Sequence, residues 1–176
     1  MVTMGDFNDG LRANDAALLN EALIKLRHEG HPVKSKTTLQ RPYGMVPTAF
    51  WSDREFKPIR SLPDRQFKLY IYLHSSPNGN SIGLYRLTIG ALTDDLGVQS
   101  AQAIEDLQSL EDRGLIMYSR EDSFVWVINQ VESQIRYAKL GQGKVAIGMA
   151  NIFRGLPDVS LKQDFMEKYQ KILPLQ

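Results

Sequence analysis

SIGLYRLTIGALTDDLGVQSAQAIEDLQSLEDRGLIMYSREDSFVWVIN, residues 81–129, spells out an order of elements through its changes of period. Leu84, Tyr85 and Leu87 form a short β-prone run. Thr88 has the side chain to cap a helix in which Ile89, Leu92 and Leu96 recur at helical spacing. Gly97 supplies the left-handed residue that ends this helix, and Val98 follows as an apolar plug. A second helix is predicted from about Ser100, burying Ala103, Ile104, Leu107 and Leu110 and stopping at Gly114. Leu115, Ile116 and Tyr118 then begin a strand, Arg120 to Ser123 make the turn, and Phe124 to Ile128 return as its partner.

This spacing resembles the winged helix-turn-helix domain, in which two helices meet across a tight turn and a β-ribbon follows. The whole register carries the resemblance: LxxxLGV, then AIxxLxxLxxxGLI, then a hairpin, with Gly97 and Gly114 bracketing the second helix. The flanks narrow it. FWSDREF (50–56), LPDRQFKLYIYL (62–73), SSPNGNSIGLYRL (75–87) and FVWVIN (124–129) are similar to the winged-helix replication-initiator or replisome-organiser proteins of bacteriophages and prophages. The resemblance covers residues 47–129 and implies a protein that binds origin-like DNA in the cytoplasm. It further implies recruitment of replication proteins of helicase or helicase-loader type, and a homo-oligomer is compatible with it. The expected fold is mainly α with a small β-sheet. A winged helix-turn-helix domain over 47–130 would follow an N-terminal helix and basic connector (1–46) and precede a C-terminal helical extension (131–176).

Composition sets the outer bounds. A chain of 176 residues with seven Phe can bury a real core. The absence of cysteine excludes disulfides and thiolate metal sites and suits a reducing compartment. No apolar run reaches the roughly 18 residues of a membrane span, and the N-terminus lacks a signal-peptide pattern, so a cytoplasmic protein without membrane contact is expected. The net charge of +1 is unevenly spread. Residues 88–122 carry a net −6, residues 31–60 a net +4, and residues 123–176 a net +3. The helix-turn-helix stretch is therefore the acidic part of the chain.

On the N-terminal side, Leu18, Leu19, Ala22, Leu23 and Leu26 form an apolar helical stripe over about 14–29. Residues 31–44 read as a basic connector with two prolines. Phe50, Trp51 and Phe56 are expected in the core. Ser61 is placed to cap a helix reaching about His74, with Pro63 in its first turn. Past the ribbon, helices are expected over 131–140, 144–154 and 160–173, the last burying Leu161, Phe165, Tyr169 and either Ile172 or Leu173.

Catalytic patterns are missing. His28, His31 and His74 have no paired-ligand spacing, so no metal is expected. GQGK at 141–144 lacks the leading glycine of a phosphate loop (Ala138) and has Val145 where Ser or Thr is needed. No nucleophile elbow is present, and neither a cofactor nor enzyme activity is expected.

A DNA-binding reading assigns roles to particular residues. The start of the second helix reads base edges in the major groove, with Gln99 and Gln102 suited to adenine and Ser100 to a phosphate. Arg86 and Thr88 would lie close to the backbone, and Arg120 and Ser123 at the wing. Lys34, Lys36 and Arg41 of the connector would add phosphate contacts. Glu105 and Asp106, expected on the outer face with Gln99 and Gln102, oppose this electrostatically. Two alternatives stay open: a winged-helix transcriptional regulator, and a winged-helix protein–protein interaction module that docks through its acidic face.

Overall fold

The computed structural model describes residues 46–136 and 142–175, all within one compact unit, Leu39–Gln176. The helix expected over 14–29 and the connector carrying Lys34, Lys36 and Arg41 lie outside the described residues, as does the stretch 137–141. The described chain is mainly helical with one small antiparallel sheet. Two 3-10 turns, Thr48–Trp51 and Arg54–Phe56, lead into α1 (Lys57–Arg60) and α2 (Asp64–Ser75). Strand β1 (Leu84–Arg86), α3 (Ile89–Leu96) and α4 (Ser100–Asp112) follow. Next come β2 (Ile116–Ser119) and β3 (Phe124–Val127), then α5 (Gln130–Arg136), α6 (Gln142–Arg154) and α7 (Leu161–Tyr169). No helix among the described residues is long and apolar enough to cross a membrane.

Local chemistry sets the helix ends around the central turn. Thr88 is extended, and its Oγ1 accepts from the Ala91 N–H at 3.2 Å, which satisfies one donor at the open end of α3. Gly97 closes α3 in the left-handed region at φ 66°, its N–H donating to Thr93 O at 2.9 Å. Gly114, at φ 68°, turns the chain from α4 into β2, and Leu115 N–H donates back to Leu110 O at 3.0 Å.

Several expected boundaries differ. Ser61 does not cap α2; its hydroxyl donates to Lys57 O at 2.9 Å because Lys57–Arg60 already forms a helical turn, and α2 begins behind Pro63. Helix α6 starts at Gln142, two residues before the expected Lys144, with Gly143 in its first turn. Trp51 is not in the core. Its 3-10 turn directs Phe50 inward and leaves Trp51 64% exposed.

The sheet runs in the order β1-β3-β2, both pairings antiparallel. Pleating sends alternate residues to opposite faces. Tyr85, Ile116, Val125 and Val127 join Leu69 and Leu73 of α2, Leu92 of α3, and Ala103, Leu107 and Leu110 of α4 in one core. The buried Tyr85 hydroxyl donates to Leu73 O at 2.7 Å, which ties β1 to α2.

The other face is covered by the C-terminal helices. Leu84, Phe124 and Trp126 pack there with Val131, Met149, Phe153, Phe165 and Tyr169. Phe153 stacks on Phe165 at 5.3 Å, and Trp126 meets Phe165 at 5.5 Å. The Tyr169 hydroxyl donates to Glu132 at 2.6 Å, and burial raises its pKa. Of the two residues proposed for the chain end, Leu173 is buried and Ile172 exposed. Residues 142–175 thus complete the packing of the sheet.

Gly83, just before β1, is at φ +74°, and its carbonyl accepts from Val127 N–H at 2.9 Å. A Cβ there would lie 2.7 Å from Gln130 Cβ. Only glycine fits.

The tip of the β2–β3 hairpin is fixed to α7. Asp122 Oδ2 accepts from Ser160 Oγ at 2.6 Å, Ser160 N–H at 3.0 Å and Ser119 Oγ at 2.9 Å. Bonds from Ser160 hold the Asp122 carboxyl below its ordinary range. A depressed folded pKa means the tether stabilises the fold above the unfolded carboxylate range and is lost as pH falls through the folded value. Hydrogen exchange should therefore show the Ser160 amide losing protection on acidification below about pH 4. Asp122→Asn should remove that pH dependence; an unchanged acid response in the variant would assign it to another group.

Candidate nucleic-acid interface

The first turn of α4 is open. Gln99, Ser100 and Ala101 are exposed, at the end of the helix where backbone N–H groups and the helix dipole favour an anion. Gln102 is half-buried, and its Oε1 accepts from the Gln99 N–H at 3.2 Å. A bidentate contact to adenine needs that oxygen as well as the amide nitrogen. Gln102 therefore caps the helix, and the exposed Gln99 side chain is the other arm of the same capping box.

Of the two acids expected on the outer face of α4, Glu105 is exposed there and Asp106 is not. Asp106 is 3% exposed, not on the outer face. Its Oδ2 pairs with Arg65 Nε of α2 at 2.5 Å, and Glu105 pairs with Arg65 Nη2 at 2.7 Å. Bonds to Asp106 are the main cause of the raised Arg65 pKa. Ile104, expected in the core, is only half-buried, because the buried face of α4 takes in Asp106. Glu111 accepts from Tyr118 N–H at 2.9 Å, and Asp112 from Gln108 at 3.0 Å. Asp95 of α3 accepts from the Tyr72 hydroxyl at 2.6 Å, and burial followed by that bond pushes the Tyr72 pKa up to about 12. These carboxylates tie α2, α3, α4 and β2 together, and Arg65 offsets one of the two negative charges of Glu105 and Asp106.

Basic groups also reach the turn. Lys68 Nζ donates to Leu96 O at 2.8 Å, at the C-terminal end of α3 and beside Gly97. Arg65 and Lys68 lie one helical turn apart on α2 and belong to this surface as well. Their basic i, i+3 spacing is visible in the sequence, but their targets, on α4 and at the end of α3, are not.

The remaining candidates separate. Arg120 is exposed at the hairpin tip, and its charge acts on the Tyr118 hydroxyl, which donates to Leu87 O at 3.1 Å. Burial outweighs that charge and leaves the Tyr118 pKa raised. Ser123 sits in the turn at φ 54°, and its carbonyl accepts from Leu87 N–H at 2.8 Å. Thr88 is half-buried, with its hydroxyl oxygen engaged in the α3 cap. Arg86 is opposite Phe124 in the β1–β3 register, so the pleat directs it to the face covered by α5–α7, away from α4. Arg86, Ser123 and Arg120 share one end of the sheet. Gln99 and Ser100 occupy the helix start, and Lys34, Lys36 and Arg41 lie outside the described residues. No group of three or more His, Asp or Glu side chains among the described residues stands in metal-holding geometry.

No protein-family model matches this chain, and no curated protein or solved structure matches it either.

Proposed function

We propose that the chain is a winged helix-turn-helix DNA-binding protein of the phage-type replication-initiation class, in which the first turn of α4 enters the major groove. Gln99 contacts a base edge, Ser100 a phosphate, and Arg120 at the hairpin tip the backbone. The observation that carries this reading is the double pairing of Arg65 with Glu105 and Asp106. It halves the negative charge that opposes a DNA-facing α4. An acidic protein-docking face is weakened by the same pairing, because a basic partner would have to compete with Arg65. Origin DNA and a helicase-type partner follow from the family resemblance. A transcriptional regulator would use the same α4 surface and differ in its DNA site.

The test is binding of labelled mixed-sequence duplex DNA across a salt series. Micromolar affinity that falls steeply with salt is expected. Gln99→Ala should then erase preference at one base position, a loss of about 5- to 150-fold, with the salt slope unchanged. Arg120→Gln should weaken all sequences alike and flatten the slope by about one. Absence of duplex binding at low salt would overturn the proposal.

A further inference from the structure

The chain has two tryptophans. Trp126 is buried under α7, whereas Trp51 is the most exposed large apolar side chain among the described residues. A single exposed apolar residue is ordinary by itself. Trp51, however, is held in place: its ring meets buried Phe50 edge-on at 5.1 Å and lies 6.3 Å from Phe67 of α2. Arg60 braces the turn beneath it by donating to the carbonyls of Phe50 and Asp53. The indole is thus a supported platform that loses little conformational freedom when something stacks on it.

Around the platform the cations carry no ion pair among the described residues, whereas each neighbouring exposed acid holds a hydrogen-bond partner. Arg54 and Lys57 are exposed and form no ion pair among the described residues. The acids between Trp51 and Lys57 are engaged: Asp53 accepts from Glu55 N–H at 3.1 Å, and Glu55 pairs with Arg136 at 2.9 Å. Lys34, Lys36 and Arg41 continue the positive charge toward the N-terminus in sequence.

We propose that Trp51, Arg54 and Lys57 form a binding site for single-stranded nucleic acid, with one base stacked on the indole and the two cations on adjacent phosphates. Stacking on a side chain requires an exposed base face, which an unpaired base offers and a paired, stacked base does not. The cations provide the sequence-independent part of the affinity. This site uses residues separate from Gln99, Ser100 and Arg120, so it stands or falls independently of duplex recognition by α4.

The test uses the full chain with (dT)15, mixed-sequence duplex and intrinsic tryptophan emission. Binding of (dT)15 should quench the acrylamide-accessible emission of Trp51. Trp51→Ala should weaken (dT)15 binding by about 5- to 100-fold and leave duplex affinity and the unfolding midpoint near wild type. Trp51→Phe should retain most of the affinity, since it keeps an aromatic face. Neutralising Arg54 and Lys57 to Gln should flatten the single-strand salt slope by about 0.7 per lost phosphate contact. The site is overturned if Trp51→Ala binds (dT)15 like wild type, if wild type does not bind it, or if duplex affinity falls equally. A protein partner that needs Trp51, with (dT)15 binding unaffected, would reassign the patch and likewise overturn it.

Discussion

Replacing Phe165 with alanine is expected to lower the unfolding free energy by about 3–5 kcal/mol, in one cooperative transition. Phe165 is fully buried and lies at the centre of the core formed by the sheet and the C-terminal helices. It contacts Trp126 of β3, Phe153 of α6 and Tyr169 of its own helix, with ring centroids 5.5, 5.3 and 4.7 Å away. Truncation removes the ring's transfer free energy and leaves a cavity between three aromatic neighbours that cannot collapse without moving the sheet. Urea unfolding, followed by the emission of buried Trp126 and by far-ultraviolet circular dichroism, measures both quantities. Coincident transitions at a lowered midpoint are expected. An early loss of the C-terminal helices with the rest intact would show that the sheet does not need its second covering.

Gly83→Ala is the second large effect, expected to cost about 2–6 kcal/mol. The substitution adds the strain of a left-handed backbone, about 1–3 kcal/mol, to an overpacking term of similar size. The new methyl would meet Gln130 Cβ at 2.7 Å and Val127 O at 3.0 Å. Gly97→Ala is the control. Its φ is also positive, +66°, but nothing lies within 4 Å of the added methyl, so only the backbone strain should appear. Equal losses in the two variants would mean that the packing of Gly83 against Gln130 relaxes without cost.

These two glycines illustrate what a sequence can disclose. Gly97 and Gly114 were legible because each follows a helical period and precedes a new one, and Thr88 because a cap stands next to the helix it serves. Helix α3, its turn, α4 and the hairpin are therefore readable from residues 84–128 alone. Gly83 was not, since its constraint comes from Gln130 at the start of α5, 47 residues along the chain. The burial of Asp106 is hidden in the sequence for the same kind of reason. Helical spacing gives its angle on α4, but its burial depends on Arg65, a distant residue on α2. Trp51 shows the converse: its composition suggests core, yet one neighbouring aromatic, Phe50, fills the space beneath the turn. Local rules predict element ends, and long-range partners decide which side chains remain available for binding.

The strand order has a consequence for synthesis on the ribosome. β3 is the last strand made and the central one, so neither β1 nor β2 has its partner until β3 emerges. All four of its residues end up buried, two of them, Phe124 and Trp126, beneath helices translated later still. A nascent chain ending near Asn129 would thus present an aromatic sheet face with no cover, a sticky species of the kind chaperones hold. Slow decoding after residue 129 would prolong that exposure, whereas the short, three- and four-residue edge strands limit the templates available for mispairing.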